Sequence, residues 1–229
     1  MAANKIQYPK TLDEHPFYGF KLDENQRAFR DAIWSQDNDI VFCNAKAGSG
    51  KTLIATATAD LLVKYGRYNG IVYIVSSYGE ARQGYLPGSI TEKSEVYFEP
   101  FYQALIKCGV NCNTAISDES MVKQKNNTSY IHCLTHTFLR GTNLENKVII
   151  LDEAQNYTVS ELKKTLTRMS DNCKVIIIGH DQQCDLANKT GSGFIKYLYH
   201  FRNQPRTAVC ELVKNYRGWI SQHADELNE

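Results

Sequence analysis

What this sequence has little of narrows it first. Its 229 residues carry a formal net charge of only +1. The overall balance therefore does not draw it to a polyanion, and any basic surface must be local. No apolar run approaches the roughly 18 residues that a membrane-spanning helix needs. The opening stretch MAANKIQYPK has no apolar core of signal-peptide length. The seven cysteines are odd in number and form no CxxC pair. Cys108, Cys112, Cys133, His132 and His136 are spaced too irregularly to read as a zinc site. Reduced, mostly buried thiols explain them better. No internal repeat is visible, and no separate acidic metal cluster of a nuclease kind. The expectation is a cytoplasmic protein, or one of the host cytoplasm if the chain is viral, with no membrane partner. At 42% hydrophobic the chain has ample material for the core of one large domain.

What is there centres on Ala45-Lys46-Ala47-Gly48-Ser49-Gly50-Lys51-Thr52. An apolar run (Ile40, Val41, Phe42, Cys43) leads into it, and a helical pattern (Leu53, Ile54, Ala57, Leu61) leads out. This is the strand, glycine-rich loop and helix of a phosphate-binding loop, with Ala45 where glycine is usual. Glycines let backbone N–H groups close around an anion, and the helix adds the positive end of its dipole. The loop and Leu53 form the expected ATP-binding set. Lys51 is expected at the β- and γ-phosphates and Thr52 at Mg²⁺.

Along the chain, residues 1–20 read as an extended segment, followed by one domain over 21–229. A helix is expected over 22–34 with Gln26 inside it. A strand follows at Ile71–Val75, then a turn-rich stretch over 79–88. A helix over 95–107 would place Val96, Tyr97, Phe101, Leu105 and Ile106 on one side. Residues 109–129, polar and asparagine-rich, read as a flexible insertion. Val148–Leu151 is a strand ending at Asp152-Glu153. Thr158 and Glu161 make a capping box for the next helix, and Lys174–Ile178 is another buried strand. β-Branched runs alternating with helices indicate an α/β fold: a three-layer P-loop NTPase domain with a mostly parallel sheet.

Ligands in such sheets gather at the carboxyl ends of the strands. There the sequence places Asp152 to hold Mg²⁺, Glu153 to act as general base on the attacking water, and Gln183 to sense the γ-phosphate. Lys189, Lys196, Arg202 and Arg206, interleaved with Phe194, Tyr197, Tyr199 and Phe201, suit single-stranded nucleic acid. The same aromatics also fit the core face of an amphipathic helix.

With those residues assembled, the chain resembles the PhoH family of ATPases, relatives of the first RecA-like domain of superfamily-one helicases. The resemblance rests on Ala47 to Thr52, on Val148 to Asn156 (VIILDEAQN) and on Gly84-Tyr85-Leu86-Pro87-Gly88 with Glu92-Lys93. It extends to Phe138-Leu139-Arg140-Gly141 with Leu144, to Gly179–Leu186 (GHDQQCDL) and to Gly191-Ser192-Gly193-Phe194. His180 stands where the family pattern carries aspartate. The resemblance implies that Gln26 reads the adenine edge and that Arg217, in Asn215-Tyr216-Arg217, contacts the γ-phosphate. The roughly eighty residues after Asp152 are too few for a second RecA-like domain. A homo-oligomer is therefore expected, a hexameric ring being favoured, with Arg217 or Arg140 as a finger in trans; Arg217 in cis is the rival. The function so implied is Mg²⁺-dependent ATP hydrolysis coupled to action on RNA or single-stranded DNA. The alternative is a slow ATP-dependent switch or assembly module that touches no nucleic acid.

Overall fold

A computed structural model describes residues 8–13, 15–76, 90–117, 129–139 and 142–225. Its centre is a six-stranded sheet, parallel throughout, in the order β3-β2-β4-β5-β1-β6. The strands are β1 (Ile40–Ala45), β2 (Ile71–Val75), β3 (Ile131–Thr135), β4 (Val148–Leu151), β5 (Lys174–Gly179) and β6 (Thr207–Leu212). β2, β4 and β5 are buried along their whole length, which is why they read as apolar runs, β5 after its buried first residue Lys174. Strand alternation divides the core between the two faces of the sheet. Val41, Cys43, Ile150 and Ile176 pack with helices α1 (Glu24–Trp34), α2 (Lys51–Lys64) and α3 (Ile90–Lys107). Phe42, Ile149, Leu151 and Ile177 pack with α5 (Val159–Leu166) and α6 (Phe194–Phe201). These are the three layers that the sequence implies.

Several helix ends are set by local chemistry. Asp23 and Gln26 close a capping box that starts α1 at Glu24, and Thr158 with Glu161 does the same for α5. α2 is buried from Ile54 to Leu62 and carries a fully buried carboxylate, Asp60. Such a charge must be paired. It accepts hydrogen bonds from the Tyr18 and Tyr130 hydroxyls, the latter at 2.7 Å, and pairs with Lys64 at 2.6 Å.

One sequence expectation is corrected. α3 buries Phe98, Phe101, Ala104 and Leu105, whereas Val96 and Ile106 are 68% and 65% exposed. The anchor is Phe101, stacked on Tyr73 of β2 at 4.2 Å, and Val96 and Ile106 fall away from that face. Within 109–129, a short helix α4 (Cys112–Ala115) forms, and Ile116 bridges Ile131 beside β3. Residues 118–128 lie outside those described, as do 77–89 with the Gly84–Gly88 signature, and 140–141 with Arg140. Described residues of the entry segment also contribute core. Leu12 and Phe17 are buried, and Tyr8 stacks on Trp34 at 4.2 Å.

This packing gives the first prediction. Leu12→Ala removes a fully buried side chain and should lower unfolding free energy by about 2–5 kcal/mol. An unchanged urea midpoint would show that the segment is a dispensable arm.

Candidate nucleotide-binding site

The loop between β1 and α2 is shaped by two glycines. Gly48 and Gly50 sit at φ +71° and +85°, where only glycine is comfortable. Gly50 caps α2, so Lys51 and Thr52 open a helix whose positive end faces the loop. β6 and the segment after it brace the loop. The Lys46 N–H donates to the Leu212 carbonyl at 2.9 Å, and the Tyr216 N–H donates to the Gly48 carbonyl at 2.9 Å. From α1, the Gln26 amide donates to the Ser49 carbonyl at 2.9 Å and accepts from the Asp23 N–H at 3.1 Å. Each end of that amide keeps one unused hydrogen-bonding position.

At the end of β4, Asp152 is fully buried and held by donors on both oxygens. Oδ2 accepts from Thr52 Oγ1 at 2.7 Å and from the Tyr73 hydroxyl at 2.8 Å, and Oδ1 accepts from the Glu153 N–H at 2.8 Å. Glu153 adopts the left-handed conformation, φ 49° and ψ 44°, and its Oε1 meets Lys51 Nζ at 3.0 Å. Burial pulls the Lys51 ammonium down, but Asp152 and Glu153 outweigh it and hold its pKa above the ordinary lysine value. Burial and the Glu153 charge push Asp152 above the usual carboxylate range, against the pull of Lys51 and the hydroxyl donors. For Glu153, burial is outweighed by Lys51 and by the Gln155 amide, and its carboxyl stays below that range. Two carboxylates thus share one close ammonium. The hard oxygens of Thr52 and Asp152, with negative charge to spare, are the donor set Mg²⁺ takes.

β5 lies between β4 and β1 and delivers the third expected segment. His180 is buried there, while Asp181 is exposed, with its N–H on Asn44 Oδ1 at 3.2 Å. It is the imidazole of His180 that occupies the interior at the position where the family pattern has aspartate. Gln183 is near the site through its main chain, whose carbonyl accepts from Gln155 Nε2 at 3.2 Å. Asn156 and Asp185 bond reciprocally, main chain to side chain at 2.8 Å and side chain to side chain at 3.1 Å.

Arg217 is on the loop as well. A Cβ on Gly48 would lie 2.8 Å from Arg217 Cγ and 2.5 Å from Asn215 Oδ1. Asn215 is buried and accepts from the Arg217 N–H at 2.8 Å. The fold therefore brings together Gln26, Ala45 to Leu53, Asp152, Glu153, Gln183 and Arg217. Sequence reasoning gave no role to Tyr73, Asn44, Gln155 or Asn156. Only Gln155 and Asn156 left a signal, as the closing residues of the VIILDEAQN run.

A glycine-turned Lys-Thr loop at one strand end of a parallel sheet, with an Asp-Glu pair at another, defines a P-loop domain of the ATPase class. The large terminase of bacteriophage HK97 has this fold, with a TM-score of 0.54 at 13% identity over 90% of this chain and 42% of that one. So does the UvsW helicase of bacteriophage T4, at 0.53 and 11% over 84% and 60%. The chain belongs to the PhoH family: the family described as PhoH-like protein matches residues 21–222. It is 31% identical over 194 residues to Protein PhoH of Escherichia coli K12, covering 84% of this chain and 52% of that one. With the PhoH-like protein of Mycobacterium leprae it shares 33% over 195 residues, covering 84% and 49%. The chain thus spans about half the length of the curated relatives it matches.

Gly48 gives the site's own prediction. Gly48→Ala demands a strained positive φ and pushes a methyl into Asn215 and Arg217. The variant should bind ATP at least tenfold more weakly, about 1.4 kcal/mol, by isothermal titration. Parental affinity would mean that the loop does not hold the nucleotide.

Proposed function

We propose that the chain is a Mg²⁺-dependent ATPase acting in the cytoplasm, with ATP held on residues 45–53. One observation carries the reading: Lys51, Thr52, Asp152 and Glu153 meet in a single network at the carboxyl ends of β1 and β4. Before nucleotide binds, Lys51 neutralises Glu153. The phosphates of ATP offer Lys51 more negative charge, so it moves to them and releases one Glu153 oxygen. That oxygen then takes the proton of the attacking water. Thr52 and Asp152 would hold Mg²⁺, which when bound would neutralise phosphate charge. Gln26 presents its remaining donor and acceptor to the adenine edge, Gln183 senses the γ-phosphate, and Arg217 offsets its charge. Arg217's seat against Gly48 favours action in cis.

Hydrolysis is coupled to RNA or single-stranded DNA in this reading. Its support is the α6 surface, where Lys196, Tyr199, His200 and Arg202 are all exposed. Phe194 and Leu198 of the same helix are core, so the aromatics divide between the two roles weighed from sequence. A head-to-tail ring of copies remains the proposed assembly.

Two measurements test this. Lys51→Ala should abolish turnover, and Glu153→Gln should slow it about 10²–10⁴-fold while ATP stays bound; parental turnover in either refutes its role. Turnover should rise when single-stranded RNA or DNA is added. An unchanged rate with both supports the switch reading instead.

A further inference from the structure

Gln155 is buried at 1% exposure, in a place where an amide must satisfy every group it brings. Its Nε2 donates to Glu153 Oε2 at 2.6 Å and to the Gln183 carbonyl at 3.2 Å. Its Oε1 accepts from the His180 N–H at 2.9 Å. Gly179 leaves the room: a Cβ there would lie 2.9 Å from that oxygen. The amide is therefore clamped on three sides, and its orientation is fixed by the main chain of the 179–183 segment. A donor so fixed also fixes what it donates to. We infer that Gln155 is the positioning residue of the reaction, holding Glu153 by Oε2 so that only Oε1 is delivered to the attacking water.

The inference rests on the reading of Glu153 as general base and adds what aims it. Without nucleotide, both Glu153 oxygens are engaged, Oε1 by Lys51 and Oε2 by Gln155. When Lys51 leaves for the phosphates, Oε1 alone is released. The Gln155 bond persists, because its other anchors are backbone groups of residues 180 and 183 that do not depend on Lys51. Glu153 then keeps one rotamer at the moment its ion pair is lost. A half-exposed carboxylate without that bond would swing among rotamers, and misplacing a reacting group by about 1 Å costs on the order of 10²-fold in rate.

The experiment is ATP turnover, with the affinity for a non-hydrolysable ATP analogue, on the parent, Gln155→Leu, Glu153→Gln and the double variant. Leucine approximates the volume of glutamine and has neither amide group. Gln155→Leu should lower kcat by about 10²-fold with analogue affinity unchanged. In the Glu153→Gln background the same substitution should change turnover little, because the carboxylate it aims is gone. Additive losses overturn the inference, and so does parental kcat in Gln155→Leu. Parental turnover in Glu153→Gln instead defeats the reading of Glu153 as base, and this inference with it. Gly179→Ala serves if Gln155→Leu does not fold, since its methyl displaces the amide without removing it. It should show the same loss of kcat at unchanged affinity, and parental turnover there also overturns the proposal.

Discussion

Lys51 faces two carboxylates, one buried and one half-exposed, and their shared charge is the constraint around which the rest of the site is arranged. A buried Asp152 is costly unless donors surround it. α2 supplies Thr52, β2 supplies Tyr73, and the chain itself supplies the Glu153 N–H. Two separate elements and the next residue's N–H are thereby committed to one carboxyl group. The stacking of Tyr73 on Phe101 carries that commitment outward to α3. In the proposed reading, the same excess of negative charge prepares the place for a cation and for a lysine that changes partners.

Elements that never touch Asp152 hold the loop from the outer side. β6 and the segment after it bond to Lys46 and Gly48, and α1 reaches Ser49 through Gln26. The loop is therefore gripped from three directions before any nucleotide arrives. Such preorganisation lowers the ordering cost that binding would otherwise carry. It also explains where glycine is required. Gly48 must turn and must also admit Asn215 and Arg217 within contact distance.

Much of this was legible in the sequence, and the boundary is physical. β2 and β4 begin and end where their apolar runs do, because burial on both faces leaves no polar position inside them. Asp152 and Glu153 could be placed at a strand end for the same reason. α3 was misread because Val96 and Ile106 are as apolar as their buried neighbours, so composition cannot tell which face meets Tyr73. Leu12 and Phe17 lie in a segment with no period at all, and tertiary contacts such as the docking of Tyr8 on Trp34 are what show that it packs. Gln155 was written in the motif, yet its role depends on backbone groups of residues 25 and more positions away. Periodicity carries no information about such partners.

The backbone at Glu153 shows how the carboxylate pair is made. Successive side chains of a strand point to opposite faces, so a strand continued past Leu151 would send Asp152 and Glu153 apart. Glu153 instead takes φ 49°, a conformation that costs a non-glycine residue about 1–2 kcal/mol. The turn ends the alternation and brings the second carboxylate round to the Lys51 side. Nothing in the local sequence requires the strain, since glycine would adopt it freely. Glycine there would have no carboxylate, and an uncharged residue would have the strain without the ion pair. The bond from the residue-153 N–H to Asp152 is open to any residue but proline, whereas the Gln155 bond and the Lys51 ion pair offset the cost only when a carboxylate is present. Strain held by bonds that run through Glu153 supports the proposal that the chemistry lies there rather than at the exposed Asp181 nearby.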